Sequence, residues 1–171
     1  RHIVGAEALL RWQSPRQGLV LPMRFIPLLE ETGMILDVGA WALHRANEVQ
    51  RRWPAQKLGP LRLAVNVSAV QLRHRDFVDT VREMATSGPG PTAIDIEITE
   101  SVLMEDIEAT VAKLRSIRDL GVNILIDDFG TGYSSLAYLA KLPVHSLKID
   151  RTFIISMVDD PDTMTLVSTI I

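Results

Sequence analysis

The chain has 171 residues, of which 47% are hydrophobic and 23% charged, a balance typical of a folded globular domain rather than a disordered segment. Its formal net charge of −3 argues against a broad basic surface, so we expect no duplex nucleic acid among its partners. The sequence contains no cysteine, which excludes disulfides and thiolate metal sites.

The sequence contains no apolar run that approaches a membrane span, and its N-terminus lacks the apolar core of a signal peptide. We therefore expect a soluble, cytoplasmic domain. Another part of the parent protein could tether it to a membrane. The chain starts at Arg1 and ends on an apolar stretch, so we expect it to be a piece of a longer protein.

Short aliphatic runs alternate with amphipathic stretches along the chain, which predicts parallel βα units. The pattern of these runs is apolar rather than alternating between apolar and polar residues, which predicts strands that are covered on both faces. The predicted strands are residues 3–10, 61–67, 94–98, 122–126 and 146–149. The predicted helices are residues 36–53, which should place Trp41 in the core, 76–85, 105–120, 134–141, and a last helix from Pro161 with Asp160 as its N-cap.

Two α/β architectures fit this pattern, a (β/α)8 TIM-type barrel and an open doubly wound sheet. A barrel needs eight strands in about 250 residues. Five strands are predicted, so a barrel reading implies an incomplete barrel with about five of the eight strands.

Each predicted strand carries polar residues at or near its C-terminal end. In a parallel barrel these ends meet at one rim, where active sites lie, so we expect the polar side chains to converge there. The residues are Glu7, Asn66, Glu97, the adjacent Asp127 and Asp128, and Lys148.

Carboxylates that converge repel one another, so some must become protonated or bind cations. Oxygen ligands without cysteine or histidine suit hard cations such as Mg²⁺, Mn²⁺ or Ca²⁺. Asp127 and Asp128 are adjacent and could contact two ions together, an arrangement typical of phosphodiester hydrolysis. Lys148 could orient water or neutralise developing charge.

Each of these residues also has a structural interpretation when it is taken alone. Glu7 could pair with Arg11, and Asn66 could be a turn or helix cap for the chain from Ser68 onward. The two aspartates could cap the following turn, and Lys148 could extend to the surface. Their joint occurrence at strand ends favours a site. A Mg²⁺ barrel enzyme that abstracts a proton from a carboxylate substrate also fits this residue set chemically.

An ordered series of motifs runs along the chain. The series begins with Glu7-Ala8-Leu9 and Leu10-Arg11-Trp12, and continues with residues 25–33, Val65-Asn66-Val67-Ser68 and Glu97-Ile98-Thr99-Glu100-Ser101. It ends with residues 127–136, which begin Asp-Asp-Phe-Gly, and with Leu147-Lys148-Ile149-Asp150. This ordered set spans nearly the whole chain and resembles the EAL family. The signature Glu7-Ala8-Leu9 alone has little value.

This resemblance implies a TIM-type barrel that hydrolyses cyclic di-GMP to linear pGpG with two Mg²⁺ or Mn²⁺ ions. It implies a homodimer, and sensor or diguanylate cyclase (GGDEF) domains in the parent chain. By position, Glu7, Asn66, Glu97 and Asp127 resemble ligands of one metal, and Asp127 and Asp128 ligands of the second. Lys148 resembles the residue that contacts the catalytic water, Arg11 one that binds substrate phosphate, Glu100 the anchor of the Asp-Asp-Phe-Gly loop, and Asp150 a further substrate-site residue.

The resemblance also implies that residues 1–171 are a partial EAL domain without the family's first strand and last two strands. The segment that supplies a general-base glutamate falls in the missing part, so we expect residues 1–171 alone to be inactive. The main alternative is a catalytically silent cyclic di-GMP receptor. Such receptors typically lose metal ligands, and the ligand positions covered here are kept.

Overall fold

A computed structural model of the chain describes residues 2–53, 61–104, 107–130 and 141–170. Within these residues five parallel strands form one sheet, in which they lie side by side in the same order as along the chain. A separate antiparallel hairpin consists of β2 (Trp12–Ser14) and β3 (Gly18–Val20). The strands of the main sheet are β1 (Gly5–Ala8), β4 (Arg62–Asn66), β5 (Ile94–Thr99), β6 (Asn123–Phe129) and β7 (Ser146–Ile149).

Helices connect the strands of the sheet. They are α1 (Pro22–Glu31), α2 (Ile35–Arg52), α3 (Ala69–Arg73), α4 (Phe77–Thr86), α5 (Ile107–Asp119), α6 (Arg151–Ser156) and α7 (Pro161–Ile170), with a 3₁₀ helix at Glu100–Met104. Among the described helices, none combines the length and apolar character needed to cross a membrane.

The strand order decides between the two architectures. A doubly wound sheet reverses its strand order at a switch point, whereas a barrel adds each new strand on the same side. Here each strand pairs with the next one of the sheet along the chain, without a reversal. The five parallel strands and their helices form a curled half-barrel, as the barrel prediction required.

The strand β5 alternates strictly between apolar and polar residues, so the expectation of strands without polar alternation is wrong here. Successive side chains of a strand point to opposite faces. Ile94, Ile96 and Ile98 are buried in the hydrophobic core that the sheet forms with its helices. Asp95 and Glu97 lie on the other face, the inner face of the half-barrel, where Asp95 pairs with Arg62 of β4 (Nε–Oδ1 2.5 Å). The inner face is therefore polar.

The predicted elements recur within a few residues of their expected ends. Strand 3–10 shortens to β1, helix 36–53 is α2, helix 76–85 is α4, helix 105–120 is α5 in its described part, and the helix from Pro161 is α7. Gly121, with φ +81°, follows the end of α5.

The predicted helix 134–141 lies outside the described residues except for Lys141. The expectation that Trp41 lies in the core is wrong, because its side chain is 59% exposed.

The short helix α3, which is not among the helices predicted from periodicity, is fixed at both ends by side chains. Ser68 caps its start in a reciprocal capping box with Gln71. At its end, Nζ of Lys113 from α5 donates to three backbone carbonyls, those of Leu72 (2.9 Å), Arg73 (2.7 Å) and His74 (2.9 Å). These carbonyls would otherwise lack intrahelical partners. A helix of five residues has too little periodicity to be recognised in sequence.

Candidate metal centre and catalytic site

Polar side chains from all five parallel strands lie near the C-terminal end of the sheet. The register sets Asn66 of β4 beside Glu97 of β5, and Thr99 of β5 beside Asp127 of β6. Residues paired in register across parallel strands share a face, so these side chains lie on the polar inner face. The strand-end convergence that the sequence predicts therefore holds for Glu7, Asn66, Glu97, Asp127 and Lys148.

Lys148 lies at the centre of this cluster. Its Nζ contacts Oε1 of Glu97 and lies 3.7 Å from Oε2 of Glu7. The other oxygen of Glu7, Oε1, accepts a hydrogen bond of 2.6 Å from Nδ2 of Asn66. Side chains from β1, β4, β5 and β7 are thus linked in one chain of contacts.

The carboxylate of Glu97 is the most deeply buried of the set, with 1% of the residue exposed. Burial raises the pKa of Glu97, the charges of Glu7 and Asp127 raise it further, and the contact with Lys148 works in the opposite direction. Burial works to lower the pKa of Lys148, but its contact with Glu97 and the charges of Glu97, Glu7 and Asp127 outweigh this effect and raise it. Both shifts favour retention of a proton, as expected of a site with excess negative charge.

A bulge in the pairing of β6 with β7 brings two neighbouring aspartates to the same rim. Ile126 pairs with Leu147 and Phe129 with Ile149, so Asp127 and Asp128 together oppose the single residue Lys148. Asp128 has a φ of +53°, in the left-handed region that aspartate tolerates better than most residues. In a regular strand adjacent side chains would point to opposite faces. The bulge removes that constraint.

The two aspartates repel each other electrostatically. The pKa of Asp128 is raised by burial and then by the charges of Asp127 and Asp150, while Lys148 lowers it. Asp128 is therefore part of the same electrostatic cluster, although it lies on the exposed side of the bulge.

Glu100 lies in the 3₁₀ helix directly after β5 and is buried. Its Oε2 accepts a hydrogen bond of 2.7 Å from the backbone N–H of Gly130, the residue that follows β6. The residue thus contacts the loop that follows the two aspartates. Its effect on activity stays a prediction.

Two predicted substrate-site residues lie outside the cluster of contacts. Arg11 is exposed, and its guanidinium donates to the backbone carbonyl of Leu10 (2.7 Å). Asp150 caps α6: its Oδ1 accepts from the backbone N–H of Thr152 (2.8 Å) and from the hydroxyl of the same residue. These hydrogen bonds lower the pKa of Asp150.

The structure decides among several single-residue interpretations. Glu7 and Arg11 form no ion pair, since Glu7 contacts Asn66 and Lys148 instead. Asn66 is not a helix cap, because Ser68 caps α3. Lys148 does not extend into solvent, because it is engaged by two carboxylates.

The oxygen donors of the cluster fit a hard cation in their chemistry. Neither carboxylate oxygen of Glu97 accepts a regular hydrogen bond within the described residues: Oε1 contacts the Lys148 ammonium and Oε2 lacks a partner. A buried carboxylate oxygen without a donor is costly, and a cation would satisfy it. With the described side chains as they stand, no three of the Asp, Glu and His residues come close enough together to hold one ion. The ammonium of Lys148 lies between Glu7 and Glu97, so a metal there requires the lysine side chain to move.

Two features of the site are not predicted from the sequence, namely the bulge at Asp128 and a histidine contact at the start of β7. Nδ1 of His145 accepts the backbone N–H of Ile124 (3.1 Å), and the backbone N–H of His145 donates to the carbonyl of Ile124 (2.8 Å). His145 thereby aligns the start of β7, which carries Lys148, with β6. The spacing of the histidines gives no indication of this contact of His145. A glycine shortly after two aspartates, Gly130, does indicate an unusual backbone conformation.

Comparisons with a family model and with known proteins point to the same family. The family model described as EAL domain matches residues 1–171. The bifunctional diguanylate cyclase/cyclic di-GMP phosphodiesterase MucR of Pseudomonas aeruginosa is 44% identical over 170 residues, which cover 99% of this chain and 25% of that protein. The cyclic di-GMP phosphodiesterase NbdA of the same organism is 45% identical over 152 residues, or 88% of this chain and 19% of that protein.

Solved structures agree with this result. A structure of the MucR phosphodiesterase in complex with cyclic di-GMP superimposes with a TM-score of 0.86 at 42% identity, and the match covers 97% of this chain and 68% of that one. The chain spans a quarter or less of the two curated relatives named above. Since the family model matches the whole chain, the chain belongs to the EAL domain family.

Proposed function

We propose that this chain carries the catalytic residues of a metal-dependent phosphodiesterase that hydrolyses cyclic di-GMP to linear pGpG. The observation that carries the proposal is the convergence of Glu7, Asn66, Glu97, Asp127 and Lys148 at one end of five parallel strands. Support for the substrate comes from relatives named cyclic di-GMP phosphodiesterases and from the cyclic di-GMP complex of the MucR phosphodiesterase.

The proposed metal ligands are the oxygen donors of the cluster. Glu7, Asn66, Glu97 and Asp127 would hold one Mg²⁺ or Mn²⁺ ion, and Asp127 with Asp128 a second. When bound, such ions neutralise the charge of the phosphodiester and polarise it as Lewis acids. Within the described part of the chain, Oε2 of Glu97 is buried without a hydrogen-bond partner, and a cation would satisfy it.

Hydrolysis adds one water molecule across one P–O bond, and the proton of the water goes to the departing ribose oxygen. Lys148 holds a proton firmly at Nζ, because its raised pKa keeps it charged among carboxylates. An ammonium at this position can donate a hydrogen bond to water and offset charge that develops on phosphate oxygens. It is a poor base for the same reason.

The substrate phosphate needs a cationic partner at the rim. Arg11 is exposed and is bonded only to the neighbouring carbonyl of Leu10 within the described residues, so its guanidinium can turn towards a ligand. A guanidinium offers two parallel N–H groups to phosphate oxygens. Asp150 is the weaker substrate-site candidate, because its carboxylate already caps α6.

We also propose that the intact protein is a homodimer that carries a sensor or diguanylate cyclase domain on the same chain. The support is the bifunctional name of MucR and the small share of the relatives that this chain covers. Light scattering of the intact protein would measure its oligomeric state.

The experiment that tests the function uses the intact protein. Purified protein is incubated with cyclic di-GMP and Mg²⁺, Mn²⁺ or EDTA, and the products are separated by chromatography. The proposal requires pGpG with either metal, none with EDTA, and strong loss in Asp127→Asn. The variant Arg75→Gln is the control, because the side chain of Arg75 is 89% exposed and, among the described residues, pairs only with neighbouring Asp76.

A second candidate is a cyclic di-GMP receptor without turnover. The observation in its favour is the ion pair of Lys148 with Glu97, which gives the buried carboxylate a cationic partner from the protein itself. A receptor would bind cyclic di-GMP in calorimetry and leave it intact in the presence of both metals. Loss of metal dependence in binding would favour it further.

A further inference from the structure

Gly130 is held from three directions by residues that are distant in the sequence. Its backbone N–H donates to Oε2 of Glu100 (2.7 Å), and the carbonyl of the preceding Phe129 accepts from the backbone N–H of Asp150 (3.1 Å). On a further side lies the ring of Phe153 from α6. A methyl group added at Gly130 would lie 2.7 Å from Cε2 and 2.9 Å from Cδ2 of that ring.

The position of Phe153 is itself fixed by the start of α6. Asp150 is the N-cap, with Oδ1 bonded to the backbone N–H of Thr152, and the backbone N–H of Phe153 donates to the carbonyl of Asp150 (3.1 Å). The ring therefore stands at a set distance from β6, because Asp150 is bonded to Phe129 in the same place.

Glycine cannot hold an unusual backbone conformation by itself. Gly130 has a φ of +104°, and a residue without Cβ passes easily between positive and negative φ. The hydrogen bonds to Glu100 and from Asp150 fix the peptide unit between Phe129 and Gly130, but they leave rotation about the N–Cα bond of Gly130 open. The rigid ring of Phe153 lies against the position that a Cβ of Gly130 would occupy, and it restricts that rotation. Only glycine fits against it, which explains why this position carries no side chain.

We propose that Phe153 is a positioning residue for Asp128. The ring closes against Gly130, keeps its N–H on Glu100, and so preserves the left-handed conformation of Asp128 two residues earlier. The inference rests on the proposed function of the site and adds a residue to it that contacts neither metal nor substrate. In this proposal Asp150 acts without contact to the substrate, because it caps the start of α6, the helix that carries Phe153.

The test measures backbone exchange in the intact protein, so that it does not depend on activity. Amide hydrogen exchange by NMR is compared at Gly130 and at Val67, whose N–H donates to the carbonyl of Glu97 on another strand. Phe153→Leu is expected to speed exchange at Gly130 about tenfold or more and leave Val67 unchanged, whereas Phe153→Tyr keeps the ring and the protection. A purely structural loss of stability would speed both amides. Unchanged exchange at Gly130 in Phe153→Leu would overturn the proposal.

A double-substitution cycle supplies the second measurement. Gly130→Ala forces a methyl group against the ring, and Phe153→Ala removes the ring. If the two residues act as one unit, the fold-decrease in turnover of the double variant is smaller than the product of the fold-decreases of the two single variants. A fold-decrease equal to that product would contradict the proposal. Thermal melts establish that each variant is folded, and Phe153→Met replaces Phe153→Leu should the latter not fold. If the native protein hydrolyses nothing but the exchange effect is present, the proposed function fails and the positioning role stands.

Discussion

Nζ of Lys148 lies between two carboxylates, in contact with Oε1 of the buried Glu97 and 3.7 Å from Oε2 of Glu7. The lysine therefore acts as an internal counter-ion for the cluster. Any divalent ion that uses both carboxylates must compete with this ammonium or displace it.

Replacement of Lys148 by methionine separates its charge from its bulk. We expect turnover to fall about 100-fold or more, since the ammonium no longer orients water or offsets charge, while Mn²⁺ affinity rises or stays the same. Without metal the free energy of unfolding should fall by about 1–3 kcal/mol, because buried Glu97 loses its partner. Isothermal titration with Mn²⁺, steady-state kinetics and metal-free melts measure the three quantities. Weaker Mn²⁺ binding in Lys148→Met would mean that the lysine does not compete with the ion.

Replacement of Glu7 or Asp127 by alanine should reduce turnover by two or more orders of magnitude and leave the fold largely intact. Removal of one carboxylate from a repelling cluster relieves electrostatic repulsion, so the free energy of unfolding should change by less than about 1 kcal/mol. Parallel thermal melts and rate measurements decide the matter. A loss of stability that accounts for the loss of rate would assign both residues a structural role.

Glu100→Ala should weaken metal binding although Glu100 is no proposed ligand. Its carboxylate holds Gly130, and groups that orient a metal site from outside typically change affinity 10–100-fold. Glu100→Gln is the matched control, because the amide oxygen can still accept the N–H of Gly130. The measurement is a Mn²⁺ titration of all three proteins. Equal affinity and equal rate in the native protein and Glu100→Ala would contradict the anchoring role.

Lys113→Met should reduce stability and leave the metal affinity of the site unchanged. Burial lowers the pKa of Lys113, and its Nζ supplies donors to three carbonyls at the end of α3. Loss of these bonds should cost about 1–2 kcal/mol of the free energy of unfolding. Urea denaturation measures the change, and Lys113→Arg should recover part of it. A Mn²⁺ affinity that falls in step with stability would indicate that α3 also holds Asn66 in place.

The sequence predicted the strands, the longer helices and the convergence of polar strand ends because these follow from periodicity and from the rule that parallel strands end at one rim. It could not predict the bulge that sets Asp127 and Asp128 against Lys148, since strand pairing is not visible within a single strand. It also missed α3 and α6, which are too short for a periodic pattern. The role of Asp150 as the N-cap of α6 was not predicted either, because the family resemblance assigned this residue to the substrate site.

The alternation of β5 ties the spacing of the site to the packing of the helices. A slip of this strand by one residue would turn Ile94, Ile96 and Ile98 towards the polar inner face and press Asp95 and Glu97 into the apolar layer. Each unpaired carboxylate buried in this way costs several kcal/mol, so the slipped sheet is strongly unstable. A chain whose isoleucines are packed in the core therefore has Asp95 and Glu97 on the inner face, so selection for core packing also preserves the side of the sheet on which the site is built.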